Sequence, residues 1–295
     1  MSLEIKGVIP AIVTPLDQRD QVNEAALRKL VNYLIDGGVH GLFPVGSQGE
    51  FYALTTEEKK RVIETVVDET RGRVPVYAGT GAVTTREAVE LTRVAESAGA
   101  DAVSVITPYF VSPSQSELVE HFTTIAKATK IPVLLYNNPA RTGCNITAQT
   151  VETLSKVENI RGIKDSSGDM TLTAEYIRRT PETFSVLMGR DTLIYAALCH
   201  GAKGSITATA NVAPRLVSTI YDAFMAGDRK TALDAQYKLA PLRLAFGLGT
   251  FPVVIKEALN MIGIEAGYAR APVGPMAEDK KAELRTVLTD MGLLG

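Results

Sequence analysis

The sequence predicts an α/β protein, a (β/α)8 TIM barrel with a C-terminal helical extension, and three observations carry that expectation. Eight short apolar runs, at residues 7–13, 41–45, 74–78, 102–106, 132–136, 160–164, 184–188 and 204–207, alternate with eight amphipathic stretches up to residue 226. Each run is rich in Val, Ile or Leu and bounded by Gly, Pro or polar residues, the signature of strands buried on both faces. Eight strand–helix units in unbroken succession favour a closed barrel. No Gly-x-Gly-x-x-Gly follows the first run, which disfavours an open dinucleotide-binding sheet.

The helical stretches are justified one by one. Residues 24–37 place Leu27, Leu30, Val31 and Leu34 on one face. Residues 55–70 open with Thr55-Thr56-Glu57-Glu58, and residues 84–98 open with Thr84-Thr85-Arg86-Glu87 and close before Gly99. Both openings put a capping hydroxyl and early acids where a helix leaves N–H groups unpaired. Residues 114–129, 147–156, 169–179, 191–199 and 213–226 continue the alternation. After Gly227, residues 229–244, 252–261 and 277–291 read as helices with no strand between them. The expected division is therefore a barrel over 1–226, carrying the active site, and a helical domain over 227–295.

Composition narrows the function. Lys+Arg 31 against Asp+Glu 33 gives a net charge of -2, which offers nothing to a nucleic acid or an acidic membrane. Cys144 and Cys199 are too few for a disulfide framework, and His40, His121 and His200 are scattered, so no metal site is expected. The N-terminus lacks a basic segment followed by an apolar core, and no apolar run reaches membrane-spanning length. A cytoplasmic enzyme acting on small molecules is expected.

The stretch Asn159-Ile160-Arg161-Gly162-Ile163-Lys164-Asp165-Ser166-Ser167-Gly168 ends a buried strand in a lysine. Burying an ammonium without a partner is costly. Desolvation lowers an amine's pKa, and a neutral lysine attacks carbonyls to form Schiff bases. In a (β/α)8 barrel the active site lies at the C-terminal ends of the strands. Tyr136 ends the run adjacent to that of Lys164, and a phenol there could move protons. Ser47, in the turn Gly46-Ser47-Gln48-Gly49-Glu50, could bind a carboxylate together with backbone N–H groups. Arg141, in the loop Asn138-Pro139-Ala140-Arg141, could clamp another in a fork. Small residues at Gly189 and around Ile206 leave room for a ligand.

These residues, read together, resemble the dihydrodipicolinate synthase / N-acetylneuraminate lyase family of class I, pyruvate-dependent aldolases. The likeness runs from Gly7-Val8-Ile9-Pro10-Ala11 to Pro252-Val253-Val254-Ile255-Lys256-Glu257-Ala258-Leu259. Its motifs are Gly46-Ser47-x-Gly49-Glu50, Tyr136-Asn137-x-Pro139 and Gly162-x-Lys164-Asp165-Ser166. The resemblance implies a Schiff base between Lys164 and pyruvate or another 2-oxo acid, with no metal and no organic cofactor. It implies Tyr136 as proton relay, Ser47 at the keto-acid carboxylate, Gly189 and Ile206 lining the pocket, and Arg141 on the carboxylate of an aldehyde substrate. A homotetramer or homodimer is implied as well.

Two departures matter. Gln48 stands where dihydrodipicolinate synthases carry a second threonine, and Phe110 where a relay tyrosine crosses a subunit contact. An amide neither gains nor loses a proton readily. A water, or Tyr109 turned inward, could replace the missing hydroxyl. Gly-Ser-Gln-Gly-Glu-Phe is closer to 4-hydroxy-2-oxoglutarate and 2-keto-3-deoxy sugar acid aldolases, which usually lack the arginine. The reading most like dihydrodipicolinate synthase, joining pyruvate to aspartate semialdehyde, ranks first, with those aldolases or dehydratases as the alternative. Val83, Thr56 and Lys59 occupy family positions for lysine feedback and are unsuited to it. More remote are a non-catalytic 2-oxo acid binding protein and a phosphate-binding barrel using Gly201-Ala202-Lys203-Gly204-Ser205.

Overall fold

The computed structural model describes residues 3–294. Seven parallel strands form one sheet: β1 (Gly7–Pro10), β2 (Tyr77–Gly79), β3 (Ala102–Ile106), β4 (Val133–Asn137), β5 (Ile160–Asp165), β6 (Ser185–Met188) and β7 (Gly204–Thr207). Their order is β1-β7-β6-β5-β4-β3-β2, which leaves β1 and β2 to be joined. Residues 41–45 join them. The Phe43 N–H donates to Pro10 O at 2.8 Å and Phe43 O accepts from Ile12 N at 3.0 Å. On the other side Leu42 N donates to Pro75 O at 2.9 Å, and Tyr77 N donates to Leu42 O at 2.8 Å.

The barrel is therefore closed, and its eighth member pairs through two isolated bridges, Ala11 with Phe43 and Leu42 with Val76. A regular ladder is not sustained there for two reasons. Pro44 has no N–H to donate, and Val45 leaves the extended region at φ 56. Several expected strands also shift by a residue or more: β1 stops at Pro10, β2 begins at Tyr77, and β4 and β5 extend through Asn137 and Asp165.

Side chains alternate across the strands. Ile9, Ala11, Phe43, Tyr77, Ala102, Leu134, Leu187 and Ile206 pack into one cluster inside the barrel. The outward residues join a larger core beneath the helices, where Leu27, Leu30, Val31 and Leu34 of the helix Glu24–Asp36 are fully buried. Burial of each such side chain contributes about 1.5–3 kcal/mol. Thr55 and Glu58 form a reciprocal capping box, as do Ser114 and Glu117. Thr84 caps the helix Thr85–Ser97.

Beyond the barrel lie the helices Arg229–Ala245, Val253–Met261 and Glu278–Asp290. Leu239, Leu242, Val254, Leu259 and Leu284 join the same apolar core as the barrel helices. Gln236 fixes the contact: its Nε2 donates to Asp191 O at 2.9 Å and its Oε1 accepts from Tyr195 N at 2.9 Å. No helix among the described residues is long and apolar enough to cross a membrane.

His40 and His121 occupy structural positions. His40 Nδ1 accepts from Val8 N at 3.2 Å, and His121 lies buried with Nδ1 2.9 Å from Thr85 Oγ1. Burial pushes the His121 imidazole down to about 4 from 6.5. In the unfolded chain it binds a proton below its ordinary value, whereas in the folded chain it does so only near the lowered one. Its contribution is thus fully present above pH 6.5 and is lost as pH falls toward 4, by about 3 kcal/mol. Urea unfolding of the wild type and His121→Phe across that window should show a steeper acid loss in the wild type.

Candidate active site

β4 and β5 are register partners, pairing Tyr136 with Lys164 and Asn137 with Asp165. The pleat then divides these pairs between the two faces. Asn137 and Asp165 point outward into a buried network. Asp165 accepts from Ser167 N at 3.0 Å and Thr173 Oγ1 at 2.6 Å, while Asn137 Nδ2 lies 3.2 Å from Asp165 Oδ1. Those bonds hold the strand ends rigid. Tyr136 and Lys164 face the barrel mouth, with Lys164 Nζ 4.1 Å from the centre of the Tyr136 ring and 5.0 Å from that of Phe43.

Two lysines are buried among the described residues, Lys164 at 4% exposure and Lys256 at 1%. Lys256 forms an ion pair with Glu50 at 2.5 Å. The lysine ion pairs of the described residues involve Lys6, Lys60, Lys156, Lys230, Lys256, Lys280 and Lys281, and not Lys164. Its amine instead borders a cavity of about 360 Å³. Ser47, Gln48, Tyr136, Arg141, Gly189 and Ile206 line the same cavity. The sequence reading of these six positions thus corresponds to one place in the molecule.

Phe110 does not join them. It is 96% exposed and outside the pocket of its own chain, in the left-handed region at φ 72. Tyr109 also lies off the pocket lining, edge-on to Phe51. The segment Gly201–Gly204 enters β7 from its N-terminal end, since Gly204 begins the strand and Thr207 closes it. A phosphate site there would sit at the opposite end of the barrel from the lysine. A larger groove of about 710 Å³ runs along Tyr33, Pro214 and Leu293, but its lysine, Lys238, is exposed to solvent.

The Tyr136 hydroxyl accepts from Asn138 Nδ2 at 3.0 Å. Burial, the largest influence, raises its pKa, but the Lys164 charge and the polar side chains of Ser47, Asn138 and Ser166 outweigh it and leave the phenol below its ordinary value. A phenol so placed ionises more readily than one in water, which suits proton transfer. Gln48 contributes a different feature: its Oε1 is buried with no hydrogen-bond partner among the described residues. Gly189 is required by space, since a Cβ there would stand 2.1 Å from Ser166 Oγ.

The turn that presents Ser47 is strained. Val45 and Glu50 bracket it, both at φ 56, a conformation that is an outlier for a β-branched side chain. The anchor is Glu50, whose Oε2 accepts from Arg270 N at 2.8 Å while Oε1 meets Lys256. Lys256 also donates to Tyr268 O. Glu50 of the Gly-Ser-Gln-Gly-Glu motif therefore ties the turn to the C-terminal segment rather than lining the cavity. Lys256→Met would leave the Glu50 carboxylate buried and uncompensated, and denaturant unfolding should show a loss of about 3–5 kcal/mol. The double variant Glu50→Gln/Lys256→Met should recover part of it.

Sequence reasoning did not single out Asn138, Ser166, Arg243, Phe246 or Phe251, which also line the cavity. Arg190 lines the cavity too, with its Nε donating to Ser166 O at 3.0 Å. Arg243, Phe246 and Phe251 come from the helical extension, where no strand end flags a site. The glycines Gly247 and Gly249, interrupting the helical pattern, were the available signal.

Comparison with known proteins agrees with this geometry. The model of the dihydrodipicolinate synthetase family matches residues 4–291. A 4-hydroxy-tetrahydrodipicolinate synthase of Methanopyrus kandleri is 42% identical over 296 residues, covering 100% of this chain and 99% of that protein. The crystal structure of dihydrodipicolinate synthase from Aquifex aeolicus superposes with a TM-score of 0.95 at 37% identity, over 98% of this chain and 99% of that one. An Escherichia coli K12 prophage protein of the dihydrodipicolinic acid synthase family, solved in complex with pyruvate, gives 0.95 at 35% identity, over 98% and 99%. The fold and these matches define a lyase of the class I aldolase type. The chain belongs to the dihydrodipicolinate synthetase family.

Proposed function

We propose that this enzyme forms a Schiff base between Lys164 Nζ and pyruvate and adds the resulting enamine to an aldehyde that carries a carboxylate. The observation that supports this most is the contrast between the two buried lysines: Lys256 is neutralised by Glu50, whereas Lys164 faces a cavity and the Tyr136 ring. The amine attacks the 2-oxo carbon, and loss of water gives an iminium. That cation is an electron sink: it acidifies the C3 protons of pyruvate, and removal of one gives the enamine. Carbon–carbon bond formation follows, and water releases the product. No metal or organic cofactor is needed for these steps.

Tyr136 donates to the departing carbinolamine oxygen and takes protons back, with Asn138 and Ser47 holding its hydroxyl. Ser47 and its turn receive the pyruvate carboxylate, Gly189 and Ile206 shape the space beside it, and Arg141 receives the carboxylate of the aldehyde. Aspartate semialdehyde is the first aldehyde to try, because the related protein of Methanopyrus kandleri is a 4-hydroxy-tetrahydrodipicolinate synthase. A cytoplasmic homodimer or homotetramer is proposed with it; the exposed Phe110 side chain is available for a subunit contact.

The 4-hydroxy-2-oxoglutarate or 2-keto-3-deoxy sugar acid aldolase is the second reading, and Gln48 favours it. Its unpartnered Oε1 would accept a bond from a substrate hydroxyl. Proton exchange at C3 of pyruvate in D2O, followed by NMR, tests the step both readings share. Exchange should require the enzyme and proceed without any aldehyde; a folded enzyme that exchanges nothing contradicts both. Rates with aspartate semialdehyde, glyoxylate and glyceraldehyde then separate them.

A further inference from the structure

The cavity holds more positive charge than the proposed chemistry uses. Arg190 and Arg243 line it beside Arg141 and Lys164. The acid on the same lining, Asp191, is already engaged, its Oδ2 accepting from Ala208 N at 3.1 Å and Thr209 N at 2.7 Å. Arginine ion pairs among the described residues are made by Arg28, Arg61, Arg86, Arg178, Arg179 and Arg270, none of which lines the cavity.

Arg141 and Arg243, both on the cavity lining, are held in the same way. The Arg141 guanidinium stacks over Phe251 at 4.8 Å, and that of Arg243 over Phe246 at 5.2 Å. Both rings belong to the short segment between the helices Arg229–Ala245 and Val253–Met261. Stacking engages the face of a guanidinium and leaves its in-plane N–H donors free. A carboxylate is the planar acceptor that matches such an edge in a fork.

We propose that Arg243 is a specificity-determining residue: with Arg141 it forms a two-guanidinium clamp for the terminal carboxylate of the aldehyde partner, so that the C-terminal extension supplies part of the acceptor site. This rests on the aldolase reading above and adds to it a second residue, Arg243, that selects for the aldehyde's anionic end. A structural role for Arg243 alone, packing on its own helix end, makes no demand on the aldehyde's charge.

The test compares the wild type with Arg243→Gln and Arg243→Lys, using aspartate semialdehyde and succinic semialdehyde as carboxylated aldehydes and butyraldehyde as the uncharged control. Arg243→Gln should raise KM for the carboxylated aldehydes about ten- to hundredfold, with Arg243→Lys in between. Butyraldehyde kinetics and C3 exchange of pyruvate should stay unchanged. If an aldehyde is bound without turnover, the concentration of succinic semialdehyde that halves the exchange rate reads the same site. Unchanged values for the carboxylated aldehydes, or equal losses with butyraldehyde, overturn the clamp. Absence of pyruvate exchange in the wild type instead falls on the aldolase reading, so the two failures are distinguishable.

Discussion

Replacing Lys164 by alanine is expected to lower kcat by about 10⁴-fold or more while leaving the fold intact. Removing the nucleophile of a covalent mechanism removes the whole sequence of steps built on it, not one increment of the barrier. The fold should survive because Lys164 belongs to no ion pair among the described residues and its removal strands no buried carboxylate. Asp165 keeps its bonds to Ser167 and Thr173 whatever stands beside it. The contrast with Lys256→Met is the internal control. One variant should lose activity and keep stability, and the other should lose stability because Glu50 loses its buried counter-charge. Circular dichroism, denaturant unfolding and turnover of the two variants side by side check both halves.

Tyr136→Phe carries the second large effect. A positioned general acid–base contributes about 10²–10⁴-fold, and the ring of this phenol lies against Lys164 Nζ, its centre 4.1 Å away. The substitution keeps the ring, so the packing around the amine is retained while the O–H and its contacts with Asn138 and Ser47 are lost. The loss should fall on kcat, with pyruvate still trapped slowly on Lys164. The phenol ionises below its ordinary value in the free enzyme. Its proton is therefore withdrawn before pH 10 as pH rises, and kcat/KM should show an alkaline fall that Tyr136→Phe lacks.

Much of this site was legible because the barrel converts sequence position into spatial position. Each apolar run delivers its last residues to one rim, so Tyr136 and Lys164, at corresponding points of adjacent runs, become register partners. Ser47, Arg141, Gly189 and Ile206 arrive at that rim by the same logic. What sequence could not show has two physical sources. The pairing of residues 41–45 depends on a proline and a left-handed valine, which break the ladder that an apolar run leads one to expect. Arg243, Phe246 and Phe251 reach the pocket through the packing of the extension on the barrel, a tertiary contact with no periodic signal. Phe110 differs from these: the family resemblance puts its position at a subunit contact, and in the single chain its side chain is exposed to solvent.

Borohydride reduction in the presence of pyruvate, followed by intact and peptide mass spectrometry, tests the Schiff base most directly. A pyruvate-dependent adduct on the peptide carrying Lys164, absent in Lys164→Ala, is the result expected. No adduct with pyruvate or with a panel of other 2-oxo acids on folded enzyme, or an adduct on Lys256 instead, would contradict it.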